Sequence, residues 1–131
     1  MQQFTNNTYL IIDDSEIDIL VVNRMIEKVY PNLKPVSISD GAKGISYMKN
    51  VVSGTNVKPS FILLDLQMPL MDGFEFLNIY EREFFHQLPD VKVIILTSSI
   101  HIIDKEKAEK YRTVSAYMVK PFSIDEFQYL L

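Results

Sequence analysis

Apolar residues in this chain gather into five short blocks, at 9–12, 36–38, 61–64, 91–96 and 114–119, and between the blocks they recur every three or four positions. A short, nearly continuous apolar run suits a strand covered on both faces, and the wider spacing suits a helix laid on a sheet. Ser15, with Asp18 three residues on, is a capping-box pattern, and Ile19, Val22, Ile26 and Val29 carry a first helix until Tyr30 and Pro31 stop it. Asp40 and Gly41 open a second, with Ala42, Ile45, Met48 and Val52 facing the sheet. A turn over 68–73 leads into a third, with Phe76, Leu77, Tyr80 and Phe84 on one face. Ile100, Ile103, Ala108 and Tyr111 mark a fourth, and 122–131 begins a short fifth, as in a chain cut near its end or taken from a longer parent.

Strands alternating with helices predict an α/β fold: a doubly wound, five-stranded parallel sheet with helices on both faces, joined by right-handed crossovers in the flavodoxin-like order 2-1-3-4-5. The 131 residues, 47% of them apolar, fit one domain over 1–131 with one core, residues 1–7 being expected as a poorly ordered tail. No fixed-period repeat or low-complexity segment interrupts it.

Charge and composition narrow the chemistry. The absence of cysteine excludes disulfides, thiolate metal sites and a cysteine nucleophile. The start of the chain is polar and uncharged, unlike a signal peptide, and no apolar run reaches the roughly 20 residues a membrane helix needs, so a cytoplasmic protein with no membrane contact is expected. A net charge of −4 argues against direct nucleic-acid binding. The one basic cluster, Lys105, Lys107, Lys110 and Arg112, alternates with Asp104, Glu106 and Glu109 and reads as a solvated helix face.

What remains is a set of polar residues where the strands end: Asp13 and Asp14, Asp65, Thr97, and Lys120 before Pro121. In an open α/β sheet the ligand crevice lies at the carboxyl ends of the strands, so these groups would converge there. Clustered carboxylates ask for a cation, and carboxylates with a backbone carbonyl suit Mg²⁺. Asp14 capping the first helix is an equal alternative on the pair alone. A carboxylate closing so apolar a strand as 61–64 needs a partner; Asp65 reads either as a nucleophile toward phosphorus or as a turn residue bonding local amides. Lys120, held extended by the proline after it, could bridge Asp65 and a phosphate. Tyr117 on its own is a strand residue with a half-buried ring and a wet hydroxyl.

In order, these residues resemble the receiver domain of two-component response regulators, through Ile-Ile-Asp-Asp (11–14), Leu-Leu-Asp-Leu-Gln-Met-Pro-Leu-Met-Asp-Gly (63–73), Ile-Leu-Thr-Ser (95–98) and Tyr-Met-Val-Lys-Pro-Phe (117–122). The resemblance implies a phosphoacceptor switch in which Asp65 takes a phosphoryl group from a histidine kinase or phosphotransfer protein. Asp13, Asp14, Asp65 and the Gln67 carbonyl would hold Mg²⁺, Thr97 and Lys120 would meet the phosphoryl group, and Tyr117 would turn inward behind Thr97. Gln67, Ser98 and Ser99 would tune the phosphoryl lifetime. A downstream protein would bind the face of the fourth helix, fifth strand and fifth helix, to a monomer or a phosphorylation-dependent dimer, and a kinase would dock near Ile17, Val21 and Phe122. Thr113 and Val114 stand where the family usually has Gly-Ala, so the fourth helix would lack its glycine cap.

Three rivals make different demands. A phosphatase of the haloacid dehalogenase type needs an acid two residues after its nucleophile, and Gln67 cannot supply that proton. A flavodoxin needs a hydroxyl- and glycine-rich phosphate loop after the first strand, where Asp13, Asp14, Ser15 and Glu16 stand. A receiver-like adaptor working without phosphorylation stays open as an alternative, although the intact set of polar residues argues against it.

Overall fold

The structure is a computed structural model that describes residue 4 and residues 6–131. Five strands, β1 (Thr8–Ile12), β2 (Lys34–Ile38), β3 (Phe61–Leu64), β4 (Lys92–Thr97) and β5 (Val114–Val119), form one sheet in the order β2-β1-β3-β4-β5. Every pairing is parallel, as the strand–helix alternation predicts. The connecting helices are α1 (Glu16–Val29), α2 (Gly41–Val52), α3 (Gly73–Glu83) and α4 (Ile102–Glu109), and α5 (Ile124–Leu130) follows β5.

Side chains alternate across the strands and build a core on each face of the sheet. Leu10, Ile12, Ile62, Leu64, Val93 and Ile95 pack with residues of α2, α3 and α4. Tyr9, Ile11, Phe61, Leu63, Ile94 and Leu96 pack with Val22 and Ile26 of α1 and Phe127 of α5. Tyr9 stacks on Phe61, which also meets Phe127. Each of these aliphatic side chains contributes roughly 1.5–3 kcal/mol by leaving water, so the inner strands are the rigid part of the fold.

Part of the expected tail is built into this layer. Phe4 packs edge-on against Tyr30, the Asn6 amide donates to Ser60 Oγ, and the Lys34 amide donates to the Asn7 carbonyl. The rest of the stretch given as a tail, residues 1–3 and 5, lies outside the described residues.

Three local readings need correction. The buried face of α2 is Gly41, Gly44, Ile45 and Met48, while Ala42 and Val52 are exposed. Counting apolar side chains missed the glycines, whose lack of a side chain lets the helix approach: a Cβ on Gly44 would lie 2.7 Å from Ile12 Cδ1. In α4 only Ala108 is buried, and Ile100 and Ile103 are exposed, because eight residues lying near the sheet edge cover little of it. Strand β2 starts two residues before its apolar block, at Lys34, since an edge strand tolerates Pro35.

The fourth helix closes without a glycine, the Lys110 amide donating to the Lys107 and Ala108 carbonyls. The helix ends at Lys110 in a right-handed conformation, and the buried Thr113 amide donates to Glu81 Oε1 of α3 at 2.9 Å. Of the basic cluster, Lys107 lies over the Phe74 ring and Arg112 over Phe85, so two of the four cations cover apolar surface. No helix among the described residues is long and apolar enough to cross a membrane.

Two buried hydroxyls, those of Tyr80 and Thr113, have no hydrogen-bond partner among the described residues. Tyr80 is fully buried, and burial, with a smaller push from Asp90, holds its pKa far above the ordinary value. Tyr80→Phe is therefore expected to raise stability by about 1 kcal/mol. Urea denaturation measures it, and a loss would show that the hydroxyl is satisfied in solution.

Candidate functional site

Strand register assembles the site. Ile12 aligns with Ile38 and with Leu64, Leu64 with Ile95, and Thr97 with Val119, so the strands end together along one edge of the sheet. The ladder runs one residue past three of them: Asp13 N donates to the Ile38 carbonyl, Asp65 N to that of Ile12, and Lys120 N to that of Thr97, at 3.0, 3.0 and 2.8 Å. Backbones so fixed leave their side chains only rotamer freedom.

Carboxylate oxygens of Asp13, Asp14 and Asp65 lie within 4.8 Å of one another. Asp13 and Asp65 are buried and Asp14 is exposed. Asp14 does not cap α1: Ser15 does, accepting from the Asp18 amide at 3.2 Å, and the Ser15 amide donates to Asp13 Oδ1 at 2.9 Å. Asp65 Oδ1 accepts from the Gln67 amide at 3.0 Å, so the turn reading holds for one of its oxygens.

The counter-charge is Lys120. Its Nζ donates to Asp13 Oδ2 at 2.8 Å, Asp18 Oδ2 at 2.8 Å and Asp65 Oδ2 at 3.1 Å, using all three of its donors. Burial alone would push its pKa down, but the bonds from Asp13 and Asp18 and the charge of Asp65 hold it well above the ordinary value. Asp13 is pushed up, first by burial and further by Asp65, with the Lys120 and Ser15 bonds acting the other way. One ammonium among four carboxylates leaves the crevice strongly anionic. Hard oxygen donors with excess negative charge fit a divalent cation such as Mg²⁺, whose coordination favours such ligands.

Thr97 is fully buried and its Oγ1 accepts from the Ser99 amide at 3.3 Å. Ser99 is also buried, its hydroxyl donating to Asp104 Oδ2 at 2.6 Å. Tyr117 is half-buried as expected, but its hydroxyl is not wet: it donates to the Ser99 carbonyl at 3.1 Å. Ser98 and Gln67 are exposed and meet across the mouth, Ser98 Oγ donating to Gln67 Oε1 at 2.6 Å. Ile17 and Val21 are exposed on α1, whereas Phe122 is buried in the core.

Sequence reasoning did not give Asp18 a role at the site. Its one signal, the third position of a capping box, concerned its backbone, while its carboxylate bonds a lysine 102 positions away. Leu70 was also missed: it sits in the loop after Asp65 with φ 66° and 95% of its surface exposed. That left-handed conformation costs a leucine roughly 1–2 kcal/mol, and exposure returns nothing. Leu70→Asn is expected to raise stability by about 0.5–1 kcal/mol, read as a higher thermal midpoint; an unchanged midpoint would mean the loop relaxes in solution.

Comparisons with known proteins agree with this geometry. A family model described as the response regulator receiver domain matches residues 9–131. The chain is 26% identical over 119 residues to the probable methanogenesis regulatory protein FilR2 of Methanothrix harundinacea, covering 91% of this chain and 75% of that protein. It is 29% identical over 117 residues to the heme response regulator HssR of Staphylococcus haemolyticus, covering 89% of this chain and 46% of that one. The crystal structure of a two component response regulator from Cytophaga hutchinsonii matches with a TM-score of 0.80 and 26% identity, over 94% of this chain and 92% of that one. With its sheet order, its strand-end carboxylates and nearly its whole length matched, the chain belongs to the response regulator receiver domain family.

Proposed function

We propose that this domain is the phosphoacceptor switch of a two-component relay, with Asp65 taking a phosphoryl group from a phosphohistidine of a histidine kinase or phosphotransfer protein. One observation carries the reading: buried Asp65 stands at the end of β3 with carboxylate oxygens of Asp13 and Asp14 within 4.8 Å and the Lys120 ammonium 3.1 Å away. A carboxylate oxygen of Asp65 forms the new P–O bond as the P–N bond to the donor histidine breaks, its electron pair returning to the ring nitrogen. Lys120 offsets charge on the phosphoryl oxygens. A Mg²⁺ ion held by Asp13, Asp14, Asp65 and the Gln67 carbonyl would supply further neutralisation of those oxygens.

Thr97 accepts from Ser99 and keeps its own proton for a phosphoryl oxygen. Drawing Thr97 toward Asp65 would carry Ser99 with it, and with Ser99 the carbonyl that Tyr117 holds. The β4–α4 segment would thus shift beneath the face of α4, β5 and α5, where a downstream protein binds a monomer or a phosphorylation-dependent dimer. Such a switch works only if the phosphoryl group binds one of the two packings better. Gln67, Ser98 and Ser99 would set how readily water reaches the acyl phosphate. We place the domain in the cytoplasm, with no membrane or direct nucleic-acid contact.

Intact-mass spectrometry tests the reading, after incubation with acetyl phosphate and then with a histidine kinase, with and without Mg²⁺. The expected result is a Mg²⁺-dependent, base-labile phosphoryl adduct on the wild type and none on Asp65→Asn. Full phosphorylation of Asp65→Asn rejects the acceptor, and no adduct from either donor favours an adaptor working without phosphorylation.

A further inference from the structure

We propose that Asp18 is a positioning residue: it holds the Lys120 ammonium before phosphorylation and, on releasing it, carries the state of Asp65 to the first turn of α1. This rests on Asp65 being the phosphoacceptor. All three Lys120 donors are committed to Asp13, Asp18 and Asp65, so an arriving phosphoryl oxygen can be served only if one bond is given up. Asp13 is the costlier one to abandon, because its side chain is 3% exposed and only the cation, not water, could stand in for the lysine there. Asp18 is 43% exposed and rehydrates on release. The bond to Asp65 points to the reacting carboxylate itself. The exchange therefore falls on Asp18.

Its place in the fold gives the exchange a reader. Asp18 lies in the first turn of α1 beside exposed Ile17, and its amide is the one capped by Ser15. Asp18 and Lys120 line one cleft together with Val21, Val22, Leu96, Pro121 and Phe122. Release frees the Asp18 carboxylate from the ammonium it shares with Asp13 and Asp65, at a cleft lined mostly by apolar side chains. A partner seated on α1 would thus meet a different electrostatic surface before and after transfer, without any movement of the helix.

The test follows backbone amide signals by ¹H–¹⁵N NMR in wild type, Asp18→Asn and Asp18→Glu, each with Mg²⁺ and with or without excess acetyl phosphate or the histidine kinase. Spectra are compared at equal phosphoryl occupancy, measured by intact mass. In the wild type, phosphorylation is expected to shift residues 16–21 as well as 97–99. In Asp18→Asn the 16–21 shifts are expected to fall at least twofold while those at 97–99 persist, and Asp18→Glu is expected to restore them. Equal 16–21 shifts in wild type and Asp18→Asn overturn the inference but leave the acceptor in place. No adduct on wild-type Asp65 from either donor overturns both.

Discussion

Lys120→Ala is expected to lower the unfolding free energy by about 3 kcal/mol in Mg²⁺-free buffer at pH 7, and Mg²⁺ is expected to restore part of that loss. The change removes the one cation that, among the described residues, contacts Asp13, Asp18 and Asp65, leaving two buried carboxylates facing each other across the crevice. Removing one partner of a buried pair costs more than the pair itself was worth, since the remaining charge can neither hydrate nor find another donor. The pH dependence follows in sign. Burial opposes the Lys120 charge, but its carboxylate partners outweigh burial and raise its pKa in the folded state, so its contribution is fully present below the ordinary lysine value of 10.5 and fades as pH climbs through the folded value. The wild type's advantage should therefore be level near neutrality and shrink in strong base. It should shrink in acid as well. Asp13, already pushed up by burial, protonates at a still higher pH once the lysine is gone. Urea denaturation across pH measures the difference; a loss under 1 kcal/mol at pH 7 would mean that water enters the crevice freely. With the metal carboxylates intact, the variant should still take the phosphoryl group in Mg²⁺ but no longer pass the change to a partner.

The second large effect is expected at Gly73. A Cβ there would lie 2.6 Å from Leu66 Cα and 2.7 Å from the Asp65 carbonyl oxygen, both backbone atoms that no rotamer change can move. The Gly73 amide also donates to the Leu66 carbonyl at 3.0 Å, tying the start of α3 to the residue after Asp65. Gly73→Ala should therefore cost about 3 kcal/mol and displace Asp65, weakening Mg²⁺ binding as well as the fold. Gly41→Ala is the control, because the nearest atoms its Cβ would meet belong to the side chain of Met71. Denaturation midpoints with Mg²⁺ titrations separate the two. Equal, small losses in both variants would show that the loop yields instead.

The positions of Asp13, Asp65, Thr97 and Lys120 were legible because each ends a strand run, and in a parallel sheet strand ends share an edge. Parallel pairing was legible from the alternation of elements, and the observed order is the flavodoxin-like one that five such units fit. The buried face of α2 was not, because Gly41 and Gly44 pack by having no side chain and so leave no mark in an apolar count. Asp18 stayed hidden for another reason. Its sequence neighbourhood describes a helix start, whereas its carboxylate answers to a lysine on the far side of the chain. The Gln67–Ser98 bond was invisible likewise, since it joins two loops whose residues have no periodic signature. Patterns report what local repetition determines; pairings across the fold depend on where the crossovers return the chain.

That return sets an order for the site during synthesis. Asp13 and Lys120 are 107 positions apart, and the last strand pairs in the sheet with β4 alone among the described residues. On the ribosome, β1, β3 and β4 can bring the aspartates together before the lysine has been translated. Until β5 adds its edge, the emerging chain would carry negative charge that Lys120 does not yet offset, open to relief by a cation from the surroundings or by a proton.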